Sequence, residues 1–164
     1  MTSTPPQTTA RPVHRLASAG PAALRLGILA LVGIGIVGAG LELAFERHWN
    51  SPVQLIPWLA LGLLAVALVL LLLGDSGRLL TSVRVIAVIV LLASAYGVFV
   101  HVSVNRGMGA MAPDWDSLSP LTQWWYALTK SVGAAPPLAP GMLAQSSLLL
   151  LLASVAPRRS VNGG

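Results

Sequence analysis

The chain has 164 residues, of which 55% are hydrophobic and only 9% charged, against about a quarter charged in soluble domains. So little polar surface cannot solvate that much leucine, valine and alanine in water, whereas lipid lets the outside of a fold be as apolar as its inside. The net charge of +5 does not point to nucleic acid, because the arginines flank apolar runs and form no stripe with interleaved aromatics. The absence of cysteine excludes disulfides, thiolate metal sites and cysteine nucleophiles.

In chain order, residues 1–21 are dominated by Ser, Thr, Pro and Ala and read as a disordered cytoplasmic tail, with too little apolar surface to offset chain entropy. The apolar stretch that follows starts too late and runs too long for a signal peptide, so it reads as an uncleaved first span. A transmembrane domain is expected over 22–157, with spans at about 25–45, 54–73, 79–104 and 138–156. Each approaches or exceeds the ~20 residues needed to cross a hydrocarbon core of about 30 Å. Asn50-Ser51-Pro52 and Gly74-Asp75-Ser76-Gly77 break the first three spans apart, and both are short turns suited to antiparallel neighbours. Residues 158–164 read as a second cytoplasmic tail.

The third connection is the long one. Ser119 is placed to cap a helix whose first residue is Pro120, and Leu121, Trp124, Trp125 and Leu128 follow at helical spacing. An interfacial helix is expected over about 119–131, with Trp115, Trp124, Trp125 and Tyr126 as headgroup anchors. The predicted fold is thus an all-α membrane protein, a bundle of four transmembrane helices with a short interfacial helix in the third connection.

Arg11, Arg15, Arg25, Arg78, Arg84, Arg158 and Arg159 fall on one side of these spans, and Arg47, Arg106 and Lys130 on the other. The positive-inside rule then predicts both termini in the cytoplasm. In this reading the basic residues set topology, and Arg84 needs no further role because its long side chain reaches the headgroups. The preference for arginine over lysine, with abundant alanine, glycine and leucine, suggests the coding bias of a GC-rich bacterial genome and hence a bacterial inner membrane.

Ionisable groups inside spans are functional by default. Gly35, Gly38, Glu42 and Glu46 share one helical face, and so do Ser94, Gly97, His101 and Asn105. Small residues mark close helix approach, so the two faces are expected to bring Glu42, Glu46, His48, His101 and Asn105 together at the outer rim. Gln54 and Trp58 enter at that level, and Gln145, Ser146 and Ser147 lie deeper. Such a cluster suits three roles: a metal site through His48, His101 and a carboxylate, a proton relay, or a hydrogen-bonded rim that sets helix register. The spacing is no specific metal motif, and no Ser-His-Asp arrangement or phosphate-binding loop is visible.

The run Glu42-Leu43-Ala44-Phe45-Glu46-Arg47-His48-Trp49 with Gln54-Leu55-Ile56-Pro57-Trp58, the stretch Gly97-Val98-Phe99-Val100-His101 with Asn105, and Pro136-Pro137-Leu138-Ala139-Pro140-Gly141-Met142 resemble segments of small four-span bacterial membrane proteins with no assigned function. Those proteins tend to carry acidic residues after the asparagine, whereas Arg106-Gly107-Met108 follows here. The resemblance implies membrane location and supplies no activity. The expectation is therefore a non-enzymatic accessory or assembly protein without a cofactor, embedded in lipid beside other membrane subunits or copies of itself. The alternative is a small oligomeric transporter, or a metal- or proton-handling protein, using the outer-rim cluster.

Overall fold

The computed structural model describes residues 20–156. Apart from Gly20 and Pro21, the two predicted tails lie outside the described residues, as do Arg11, Arg15, Arg158 and Arg159. Among the described residues the chain forms five α-helices and no strand: α1 (Pro21–Phe45), α2 (Pro52–Leu73), α3 (Gly77–Gly109), α4 (Pro120–Leu128) and α5 (Gly141–Val155), with a single 3-10 turn at Trp115–Ser117.

Local chemistry explains where the helices start and stop. The hydroxyls of Ser51, Ser76 and Ser119 accept from the amides of Gln54, Leu79 and Thr122, capping α2, α3 and α4. Proline occupies the first turn of α1, α2 and α4, where its missing N–H costs nothing. α1 ends in a Schellman turn, with the His48 amide on the Leu43 carbonyl and the Arg47 amide on the Ala44 carbonyl. Arg47 takes the left-handed position usually held by glycine, and Lys130 does the same after α4; there the Ser131 amide reaches the Tyr126 carbonyl.

α1, α2 and α3, of 25, 22 and 33 residues, are long and apolar enough to cross a membrane. Their outward faces are as apolar as their inward ones: Leu26, Ile34, Leu59, Leu73, Leu92 and Phe99 are all exposed, a pattern that suits lipid and not water. α3 outruns the predicted 79–104. Asn105, Arg106 and Met108 are no helix breakers, so the helix continues to Gly109, for a length of about 50 Å. α4 matches the predicted interfacial element in place and cap but is shorter than 119–131.

The fourth predicted span differs most. Where a continuous segment over 138–156 was expected, the helix covers only the 15 residues of α5, about 22 Å and too short alone for a ~30 Å core. The reason is the proline-rich approach. Pro136, Pro137 and Pro140 deny helical amides, and turns replace the first helical turns, with the Ala139 amide on the Pro136 carbonyl and the Gly141 amide on the Leu138 carbonyl.

α5 nonetheless occupies the centre of the bundle, packed against α3, α1 and α2. It runs antiparallel to α1 and α3. Near its start, Met142 faces Gly38 and Pro140 faces Gly97, while its last turn meets Arg25 and Arg84. Between these ends Val32, Leu64, Leu71, Val83, Val90 and Leu150 are fully buried and close the core.

Two arginines predicted only to set topology have structural partners. The last turn of α5 has no basic residue of its own, and its terminal carbonyls lack intrahelical donors. Buried Arg25 donates from Nε to the Ala153 carbonyl at 3.2 Å and from Nη2 to Asp75 at 2.8 Å. Arg84 donates from Nε to the Ser154 hydroxyl and from Nη2 to the Ser154 carbonyl, both at 3.1 Å. Two cations from neighbouring helices thus sit at the negative end of the α5 dipole.

Candidate functional site

At the opposite end, where α1 stops and α2 begins, the bundle opens into a cavity of about 420 Å³, within the range of small-molecule pockets. Its walls are apolar: Ala39, Leu43, Ile56, Ala60, Val100 and Leu143 come from α1, α2, α3 and α5. Its polar lining includes Glu42, Glu46, His48, Gln54 and His101. Four of the five residues predicted for the outer-rim cluster therefore share one cavity; Asn105 lies apart from it.

The Schellman turn turns the chain back after Phe45 and places His48 beside the part of α3 that carries His101. The Trp58 indole donates to the His48 carbonyl at 2.8 Å and pins that turn to α2, with Trp49 beside the same indole. The rings of His48 and His101 then lie 6.3 Å apart, tilted by 49°. Gln54 does not reach them; its side-chain oxygen accepts from the Asn50 amide at 2.7 Å.

His101 and Asn105 have partners that side-chain reasoning did not foresee. His101 Nδ1 lies 2.6 Å from the Pro136 carbonyl. A carbonyl only accepts, so Nδ1 carries the proton and, in the neutral ring, Nε2 keeps the lone pair. Asn105 is fully buried. Its amide nitrogen donates to the carbonyls of Ala127 and Ala135 at 3.1 and 2.8 Å, and its oxygen accepts from the Ala135 amide at 2.9 Å. Non-helical backbone packed inside a helical bundle needs such satisfaction by protein groups, and these two side chains supply it to the segment leading into α5. Gly133 passes so close, at φ +76°, that a side chain there would run into Asn105.

The two predicted small-residue faces do converge, and α5 lies between them. A Cβ on Gly35 would meet the Ser146 hydroxyl, and one on Gly97 would meet Pro140. Ser147 is fully buried and returns its hydroxyl to the Leu143 carbonyl. Gln145 faces outward.

The predicted anchors divide. Trp124, Trp125 and Tyr126 are exposed, Trp125 at 59%, whereas Trp115 is only 6% exposed and belongs to the interior of the third connection. Its ring fills the space left by the missing side chain of Gly109. Gln123 donates to the Trp115 carbonyl at 3.0 Å and accepts from Arg106 at 2.9 Å. Arg106 also lies over the Trp124 ring, 5.1 Å from its centre, and Phe99 stacks on the same ring. α4 is thereby held against the end of α3, with part of its aromatic face turned outward.

For chemistry, the cluster offers two carboxylates and two imidazoles, but among the described residues no three such side chains come close enough to hold a metal ion. Burial lowers the pKa of His48 below its usual 6.5, the nearby His101 lowers it further, and Glu46 opposes both. A depressed pKa favours the neutral ring in the folded state, so this contribution to stability is present above pH 6.5 and is lost as the pH falls through the folded value. Unfolding measured in mild detergent from pH 7.5 to 5 is expected to show falling stability. His48→Gln should flatten that slope while leaving the Trp58 bond to the backbone carbonyl intact; an unchanged slope would mean that His48 is not the group responsible.

No protein family, no curated protein and no solved structure matches the chain. The architecture and the cavity therefore define the class to which it can be assigned: an all-helical protein with three helices apolar enough to span a membrane and a polar-rimmed pocket at one end of its bundle.

Proposed function

We propose that this protein is a non-enzymatic accessory or assembly subunit of a bacterial inner membrane, like the small four-span proteins it resembles. In this reading the chain crosses the bilayer four times with both termini in the cytoplasm. The fourth crossing consists of α5 together with the irregular stretch before it. Ala135 bonds to Asn105 and Pro136 to His101, while α5 ends beside Arg25 and Arg84, so residues 135–155 run beside α3 from Asn105 to Arg84.

The observation that favours an accessory over a transporter is the closed core. The cavity stops at Ala60, Ser94 and Leu143, and beyond it Leu64, Val90 and Leu150 leave no passage. Exposed Leu121, Trp125 and Leu128 on α4 offer a surface for lipid headgroups or a neighbouring subunit. Affinity purification in mild detergent with mass spectrometry is expected to recover a defined membrane complex. Ion or solute flux in proteoliposomes with no co-purifying subunit would favour the transporter instead.

Topology is tested separately. Reporter fusions after Ser76 and Gly164 should report cytoplasm, and fusions after Ser51 and Asp116 the outside. A fusion after Gly164 reporting the outside would remove the fourth crossing, and an outside signal at Ser76 would invert the orientation.

A further inference from the structure

We propose that the cavity at the Phe45 end of the bundle is a binding site for a small organic cation, an ammonium head carried on an apolar stem. This goes beyond the accessory reading and stands whether or not that reading does.

Charge placement is the first ground. The chain has ten lysines and arginines against five aspartates and glutamates, yet two of those five, Glu42 and Glu46, line this cavity and no lysine or arginine does. The other titratable residues of the lining are His48, His101 and Tyr96. By formal charge the lining is therefore acidic in a chain that is basic as a whole. An anionic ligand is disfavoured, and a metal ion lacks a third ligand among the described residues.

The second ground is the state of Glu42. It lies on the last turn of α1, inside an apolar helix and partly buried, and its carboxylate makes no hydrogen bond or ion pair with any described residue. A carboxylate partly withdrawn from solvent beside apolar walls is stabilised by a cationic partner. Helix register alone does not account for it, because His101 and Asn105, the partners expected for it from the sequence, are bound to backbone groups of 135–136. What faces Glu42 is the cavity.

The third ground is the shape behind the carboxylates. Leu43, Ile56, Val100 and Leu143 form an apolar chamber that ends blindly, so a ligand would place its apolar stem inward and its charge at the rim. A long-chain lipid could present the same ammonium chemistry as a free amine, through its headgroup.

The test uses the full-length protein, delipidated in maltoside micelles, with benzyltrimethylammonium as probe and calorimetry as readout. Saturable binding is expected, and neopentylbenzene, its neutral isostere, should not displace the probe. Glu42→Gln and Glu46→Gln should each weaken binding about tenfold, through the loss of one nearby opposite charge, with thermal stability nearly unchanged. Val100→Phe, which fills the chamber and leaves the rim alone, should abolish binding. Added phosphatidylethanolamine that competes with the probe would identify a lipid headgroup as the occupant; failure to compete would assign the site to a free amine. The proposal is overturned if the wild type shows no saturable binding, if the double glutamine variant binds unchanged, or if neopentylbenzene displaces the probe.

Discussion

Asn105→Leu is expected to destabilise the protein by about 3–5 kcal/mol, the largest effect of any single substitution considered. The side chain is fully buried and serves three backbone groups, the Ala127 carbonyl and both the carbonyl and amide of Ala135. Each buried polar group left without a partner costs about 1–3 kcal/mol, and leucine supplies neither donor nor acceptor. The loss should be local before it is global. The 135 amide should exchange with solvent, and the third connection should become sensitive to protease, under conditions where α1 and α2 stay protected. Val104→Leu, on the exposed side of the same turn, serves as the control and should change little. Stability within 1 kcal/mol of wild type, with the Ala135 amide still protected, would show that Asn105 does not hold this segment.

The second large effect is expected at the other end. Arg25→Met should cost about 2–4 kcal/mol, because one buried guanidinium serves both the part-buried Asp75 carboxylate and a terminal carbonyl of α5. Asp75 would lose a 2.8 Å ion pair, and the Ala153 carbonyl would lose its donor at the end of α5. Arg25→Lys should recover only part of the loss, since an ammonium keeps the charge but cannot span both acceptors with a planar fork. Arg84→Met should cost less, because Arg84 is exposed and its bonds compete with solvent and headgroups. Equal effects at Arg25 and Arg84 would contradict the burial argument; no effect at Arg25 would remove the clasp altogether.

Much of the fold was legible because lipid imposes a simple rule. Three apolar runs of sufficient length gave α1, α2 and α3 to within a few residues, save for the far end of α3, and Ser119-Pro120 marked the start of α4. At the fourth segment hydropathy overestimated the helix, because it is blind to what Pro136, Pro137 and Pro140 do to the backbone before Gly141. The candidate site divides in the same way. Small-residue spacing placed Glu42, Glu46, His48 and His101 around one cavity. It could not assign partners to His101 and Asn105, because those partners are main-chain groups that any residue type carries. Arg25 and Trp115 were misread for a related reason. A basic residue at a span end and an aromatic in a loop look like surface features, and only the packing of α5 against Arg25 and of Gly109 against Trp115 turns them into interior ones.

The length of α3 has a mechanical consequence. Set in hydrocarbon of about 30 Å, a helix of about 50 Å would lean, protrude, or do both, with a balance that depends on the thickness of the bilayer. α4 cannot stay behind when it does. Asn105 ties the Ala127 carbonyl to α3, and Arg106 grips Gln123 and Trp124 one residue further on. The aromatic helix is thus mounted on α3 as a crossbar on a mast, so that any change in lean would carry Trp125 and Leu128 with the tip of α3.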